Sequence, residues 1–461
     1  MNDELKIKNN ELGGKMNYRY RNDEEMKDSG VEWIGNIPIH WKVKRVKHIF
    51  ELKKEKSDID NPVILSLTQK GIKVRDISNN EGQIAASYLG YTKIVKNDFV
   101  LNPMDLLSGY IDKAEFEGVI SPAYTTFAKK RKVKINHDFY KQYFQMHYHH
   151  NFLFPWGEGV SFEHRWTLKN ETFLNLPVIE PCILEQEKIA NFLDEKTAQF
   201  DSIISKKEAL IEKLEEAKKS LISEVVTGKV RVVKTDDGYE LVEREKEEMK
   251  DSGVEWLGDI PIEWDISKLK YIGESITGLT YSPKDIVDEN KGILVLRSSN
   301  VQNGKIVFED NVYVDMNIPD KLITKIGDII ICSRNGSRAL IGKNACIREE
   351  QQGMSFGAFM TIFRSRYFEY LNFVFNSEIF KAQSGSFLTS TINQLTISNL
   401  NSFIIPLPNF KEQNIVVMYL REKISEYDKI LDNIKMQIEK LKEAKQSLIS
   451  EAVTGKIEIL N

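Results

Sequence analysis

The chain has little with which to perform redox or metal chemistry. Its 461 residues include three cysteines, Cys182, Cys332 and Cys346, far apart and with no CxxC pair. That argues against a disulfide framework or a cysteine zinc site and points to a reducing, cytoplasmic setting. No apolar run approaches the ~18–20 residues of a bilayer-spanning helix, so no membrane is expected. Among the seven histidines, His147, His149 and His150 cluster, yet no carboxylate is spaced with them on a helix as in HExxH, and a helix end explains them better than a metal. A cationic surplus is missing too, for the net charge is −4. The average hides segregation. From Lys42 to Ile183, 21 Lys/Arg stand against 16 Asp/Glu, while acidic residues gather in the leader and in "DDGYELVEREKEEMKD" (Asp236–Asp251). The first globular half can therefore present a basic face.

Catalytic motifs are also lacking. "NPMD" (Asn102–Asp105) is similar to the Asn-Pro-Pro-aromatic loop of amino-group DNA methyltransferases. It lacks the second proline and the aromatic, and no FxGxG-like cofactor loop precedes it. "TGKV", "TGKI" and "IGKN" lack the leading glycine and the Ser/Thr of a phosphate-binding P-loop. Asp194-Glu195-Lys196 falls on a helical pattern and reads as a solvated face, not a nuclease triad. No GxSxG occurs. The chain reads as non-catalytic.

What is present is a repeat. "MKDSGVEWIGNIPIHW" (Met26–Trp41) returns as "MKDSGVEWLGDIPIEW" (Met249–Trp264), 223 positions later. "LISEVVTGKV" (Leu221–Val230) returns as "LISEAVTGKI" (Leu448–Ile457), 227 positions later. Each half has a fixed beginning, a variable middle and a fixed end, which implies a pseudo-twofold molecule and not a solenoid of many short repeats. The fixed ends read as long helices. Phe200, Ile203, Ile204, Leu210, Ile211, Leu214, Ala217, Leu221 and Val225 keep heptad spacing, with Lys207 as a blemish. Tyr427, Ile430, Leu431, Ile434, Ile438, Leu441, Ala444 and Leu448 repeat the stripe. Gly228 and Gly455 supply left-handed caps. About 40 residues at 1.5 Å each make a rod of about 60 Å, and two such stripes bury each other most simply as an antiparallel pair. The middles are mixed: β-rich runs such as "GDIIICSRNG" alternate with helical runs such as "HDFYKQYFQMHYHH". A hairpin is expected at Asp237-Gly238, and residues 1–25 read as disordered.

These segments carry a resemblance. "DSGVEWIGNIPIHW" resembles the opening signature of a target-recognition domain in specificity subunits of type I restriction–modification systems. "ILEQEKIANFLDEKT" (Ile183–Thr197) resembles that family's helix opening, and "LISEVVTGKV" its exit. "GVISPAYTTF", "GDIIICSRNGSRALIGKNA" with "GAFMTIFRS", and "TINQLTISNLNSFIIPLPNFKEQ" resemble its recurrent segments. The likeness runs in order, twice, over about residues 26–457. The second helix departs from it, opening "EQNIVVMYLREKI" without the Ile-Ala and Leu-Asp of the first.

The resemblance implies an α+β fold: two mixed α/β target-recognition domains joined by two long antiparallel coiled-coil helices with pseudo-twofold symmetry. The expected boundaries are 1–25 leader, 26–183 first recognition domain, 184–228 first spacer helix, 229–248 linker, 249–410 second recognition domain and 411–457 second spacer helix. It implies a cytoplasmic subunit that reads a bipartite, asymmetric double-stranded DNA target. The expected partners are two methyltransferase (modification) subunits and restriction (translocase–nuclease) subunits. No cofactor would bind this chain; S-adenosylmethionine, ATP and Mg are expected on the partners.

Base readout needs side chains with paired donors on loops. In the first middle the candidates are Lys70, Lys73, Arg75, Lys93, Ser108 and Tyr110. In the second they are Arg297, Ser298, Asn300, Arg334, Asn335, Ser337, Arg338 and Lys343. Trp33, Trp41, Trp256 and Trp264 lie in the fixed stretch, cannot distinguish two half-sites, and read as anchors to the scaffold or to the methyltransferase subunits. Phe200, Leu214, Leu221, Ile434, Leu441 and Leu448 are the expected helix seam. A coiled-coil scaffold that binds only protein and an active DNA methyltransferase are the competing readings.

Overall fold

The computed structural model describes residues 17–58, 61–76, 87–107, 109–161, 165–386 and 393–460. The chain divides into two compact units, residues 1–207 with 436–461, and residues 208–435. Both divisions fall inside the long helices, which run without interruption from Ile183 to Val226 and from Phe410 to Val453.

Each helix stops at a glycine in the left-handed region, Gly228 and Gly455, both with φ of 74°. The caps are alike: Lys229 N–H donates to the Glu224 carbonyl at 3.0 Å and Lys456 N–H to the Glu451 carbonyl at 2.9 Å, the Schellman pattern. The second helix therefore ends short of residue 457, and Ile457–Ile459 is a strand.

Within the first unit the helical segments run antiparallel. Lys445 Nζ donates to Asp201 at 2.7 Å and Lys207 Nζ to Gln437 at 2.6 Å. Within the second unit Lys218 Nζ donates to Asp428 at 2.6 Å. Lys207, the blemish in the stripe, is thus used by an amide across the pair. Of the expected seam, Phe200, Ile434 and Leu448 are buried and Leu214, Leu221 and Leu441 half-buried. Leu210 and Ile430 depart from expectation, 45% and 47% exposed; heptad spacing alone does not say how wide a stripe the partner covers.

The two middles each hold a four-stranded sheet of the same strand order despite their different sequences. In the first unit the strand order is Ile111–Lys113, Phe99–Leu101, Thr125–Lys129, Phe50–Leu52, all antiparallel. In the second it is Asn344–Cys346, Ile329–Cys332, Met360–Arg364, Glu274–Thr277, again antiparallel. The first sheet is covered by helix His137–His149, with Phe50 edge-on to Phe99, Phe127, Tyr140 and Phe144 at 5.2–5.6 Å between ring centres. The second unit adds a further sheet in which Ile293–Leu296 pairs in parallel with Ser355–Phe356.

The fixed stretches fold alike because their letters are spent on turns. Asp28 Oδ1 accepts the Gly30 N–H at 2.9 Å, and Asp251 Oδ1 accepts the Gly253 N–H at 2.8 Å. The beginning of one half packs on the end of the other within each unit. A Cβ on Gly455 would lie 2.6 Å from Pro38 and 2.8 Å from Trp41; on Gly228 it would lie 2.5 Å from Pro261 and 3.1 Å from Trp264. Start and end are written twice because each is the other's packing partner.

One expectation is corrected. Residues 18–25 are ordered structure: Tyr18–Tyr20 is a strand and Asp23–Glu25 a short 3-10 helix. Tyr18 pairs opposite Ile459 and Tyr20 opposite Ile457. The linker forms the expected hairpin, Val230–Thr235 with Gly238–Glu243, with Val230 opposite Glu243 and Val232 opposite Leu241. Shifted by the two repeat offsets these are the same ladder, closed by a turn in the second unit and by the two chain ends in the first. A three-residue strand has no period of its own to read, and its partner lies at the far end of the chain.

Candidate nucleic-acid interface

In the first unit Lys70 and Lys73 are exposed on the hairpin Leu65–Thr68/Gly71–Val74. The Thr68 hydroxyl organises its turn, accepting the Lys70 N–H at 3.1 Å and donating to the Gly71 carbonyl at 2.9 Å. Buried Asp112 anchors the hairpin by accepting the Ile72 N–H at 3.0 Å. Arg75, half-buried, follows, its N–H donating to the Ile64 carbonyl at 2.8 Å. Tyr110 is half-buried with its ring centre 6.0 Å from that of His149. Burial, then the Asp112 charge, push its hydroxyl up to about 12, so it is a neutral donor. Lys93 is exposed but engaged with Glu55 at 3.1 Å. Ser108 lies outside the described residues.

In the second unit Ser298 and Lys343 line a cleft of about 470 Å³ together with Asp310. Asn335 Nδ2 donates to Ser298 Oγ at 3.1 Å and its Oδ1 accepts the Ser337 N–H at 2.9 Å, so two loops are held as one. Arg338 is exposed and reaches the Gly385 carbonyl at 3.4 Å. Arg334 is exposed, its guanidinium 5.1 Å from the Phe359 ring centre. Arg297 is tied to the Asp310 carboxylate at 2.6 Å. Asn300 is corrected: it is 0% exposed, and its Nδ2 donates to the Val307 and Glu309 carbonyls at 3.1 and 3.0 Å while Oδ1 accepts the Arg297 N–H at 2.9 Å. It braces the loop and cannot reach a base from inside it. Phe359, 58% exposed, is the surface aromatic that reasoning from polar loops passed over.

The tryptophans of the fixed stretch divide. Trp41 and Trp264 are both 1% exposed. Trp41 Nε1 donates to Glu185 at 3.1 Å and Trp264 Nε1 to Glu412 at 2.8 Å, each glutamate opening a long helix. Arg21 and Arg244 approach the same carboxylates at 3.5 and 2.5 Å. Burial raises the Glu185 carboxyl, but hydrogen bonds from His40 and Trp41 outweigh it and hold it below the usual range. The clamp survives the changed lettering of the second helix, because Val416, Val417, Tyr419 and Leu420 are buried as Ile189, Ala190, Phe192 and Leu193 are. Trp33 packs edge-on to His147 at 4.6 Å, whereas its counterpart Trp256 is 45% exposed.

Among the described residues no group of three His, Cys, Asp or Glu could hold a metal ion, and no helix is long and apolar enough to cross a membrane.

Residues 261–443 match the family model of the Type I restriction modification DNA specificity domain. The chain carries a type I DNA specificity domain. The matched span takes in the second middle and most of the second long helix. The chain is similar to the type I restriction enzyme MjaVIII specificity subunit of Methanocaldococcus jannaschii, 25% identical over 391 residues that cover 80% of this chain and 83% of that one. It is similar also to the EcoKI specificity subunit of Escherichia coli K12, 27% identical over 208 residues, 43% of this chain and 44% of that one. A solved chain from work on complex assembly and conformational transition of the type I R-M system has the same fold, with a TM-score of 0.66 at 14% identity over 91% of this chain and 99% of the other. A specificity domain thus sits on a frame that the first half of the chain repeats.

Proposed function

We propose that the chain is the DNA-reading, non-catalytic specificity subunit of a type I restriction–modification complex, and that its two halves each read one half of a bipartite, asymmetric target. One observation carries this reading: two units share the same clamp, helix caps and sheet order while the loops at the sheet edges differ. Identical loops would read a palindrome; different loops on one frame suit an asymmetric site. The long helices would set the number of base pairs between the half-sites. Two methyltransferase subunits would dock on the duplicated frame, restriction subunits would join them, and S-adenosylmethionine, ATP and Mg would belong to those partners in the cytoplasm. Lys70, Lys73 and Arg75 would read or hold DNA in the first half, and Ser298, Arg334, Asn335, Ser337, Arg338 and Lys343 in the second.

Footprinting of the complex on its host genome tests the reading. Protection in two short blocks separated by an unprotected gap is expected, and a complex leaving no two-part footprint would reduce the chain to a protein scaffold. Equilibrium dialysis against S-adenosylmethionine tests the absence of catalysis: saturable binding by the isolated chain would make it a methyltransferase.

A further inference from the structure

The second unit fixes one arginine more firmly than its exposure requires. The Phe359 carbonyl accepts three hydrogen bonds, from the Ser333 N–H, the Arg334 N–H and the Ser333 hydroxyl, each at 3.0 Å. Arg334 also forms an isolated antiparallel bridge to Gln394, and its neighbour Asn335 is tied to Ser298. The Arg334 guanidinium therefore rests on the Phe359 ring from a braced backbone, while the ring stays 58% exposed. Among the described residues no carboxylate pairs with Arg334, whereas Arg297 and Arg364 are paired with Asp310 and Asp328.

The first unit places an aromatic at the same corner. Thr125 lies opposite Leu101, as Met360 lies opposite Cys332, so Tyr124 and Phe359 both directly precede the third strand of their sheets. Two middles with little sequence in common thus keep a ring at one position.

We propose that Phe359 is a positioning residue that holds Arg334 as the base-reading fork of the second half, aimed at the edge of a G·C pair in duplex DNA; this rests on the DNA-reading function proposed above. A guanidinium covered on its face by a ring keeps its edge donors free, and their fixed geometry matches the two acceptors that guanine offers in the major groove. An ammonium could hold a phosphate there but could not reproduce the paired contact.

The test is selection from a pool of random duplexes by the full chain isolated together with the subunits that accompany it, followed by sequencing. Wild type is expected to enrich a two-part motif. Arg334→Lys, which keeps charge and fold, is expected to lose about ten- to a hundred-fold of discrimination at one G·C position of one half-site. Phe359→Leu is expected to relax that same position, Phe359→Tyr to retain it, and the other half-site to be untouched in all three. Full discrimination by Phe359→Leu or Arg334→Lys, or a loss spread evenly over both half-sites, would overturn the assignment. Failure of the wild type to enrich any motif would instead overturn the DNA-reading function itself.

Discussion

Gly228 and Gly455 do two things that no other residue does as well. Each takes a left-handed backbone at φ 74° and leaves room for a proline and a tryptophan edge. Alanine at either position is expected to cost about 1–3 kcal/mol through strain and contact together, read as a lowered urea midpoint with an unchanged slope. His147 makes a different prediction. It is buried beside Tyr143 and Trp33, and burial, opposed by the Tyr143 carbonyl, pulls its imidazole down to about 4. The folded state thus prefers the neutral ring. Its contribution is complete above the unfolded value near 6.5 and is lost as pH falls from there toward 4. Urea titrations across that window should show wild type losing up to about 1.4 kcal/mol per pH unit from this group, and His147→Leu losing less. Asn300 marks where reading by residue type failed. The sequence shows an asparagine in a polar loop, but only the fold turns it inward to two carbonyls and the Arg297 N–H.

At the scale of elements, the long helices were legible because a heptad stripe repeats often enough to be unmistakable, and their ends because glycine follows threonine at both. The clamp at their openings was not legible, since its members are Arg21, Trp41 and Glu185 in one unit and Arg244, Trp264 and Glu412 in the other. Trp41 and Trp264 were expected as anchors to the scaffold or to the methyltransferase subunits; their indole N–H groups meet glutamates 144 and 148 residues away. The Arg244 side chain is 5% exposed, so Glu412→Ala would strand a buried guanidinium. A loss of about 3–5 kcal/mol is expected in denaturant unfolding, with Glu412→Gln milder because an amide still accepts from Trp264. The helices also carry the geometric prediction of the proposed function. Adding one heptad to both helices, at facing positions of the pair, should lengthen the gap in the methylated or footprinted sequence and leave both half-sites as they were. A changed half-site with an unchanged gap would remove the helices from the role of spacer.

For the whole molecule, the decisive comparison is between two sheets with the same strand order and different loops. Exchange of the second middle, between Trp264 and Phe410, for that of a related chain should change one half-site alone, read by genome-wide mapping of methylated bases. The frame would be kept, because every residue of the clamp and both caps lies outside the exchanged segment. If both half-sites moved together, the two units would not be independent readers.

The sequence by itself determined the repeat, the helices, their caps and the likeness to a family, because these depend on local spacing and on letters written twice. Only the tertiary structure decided how the duplicated stretches serve each other. The start of one half packs on the end of the other, and the first unit is completed by Tyr18–Tyr20 pairing with Ile457–Ile459. Hydrogen bonds between strands so far apart leave no period in the sequence. The same reason hid Phe359 beneath Arg334 and Glu185 beneath Trp41: side chains meet through folded space, and their spacing along the chain says nothing of it.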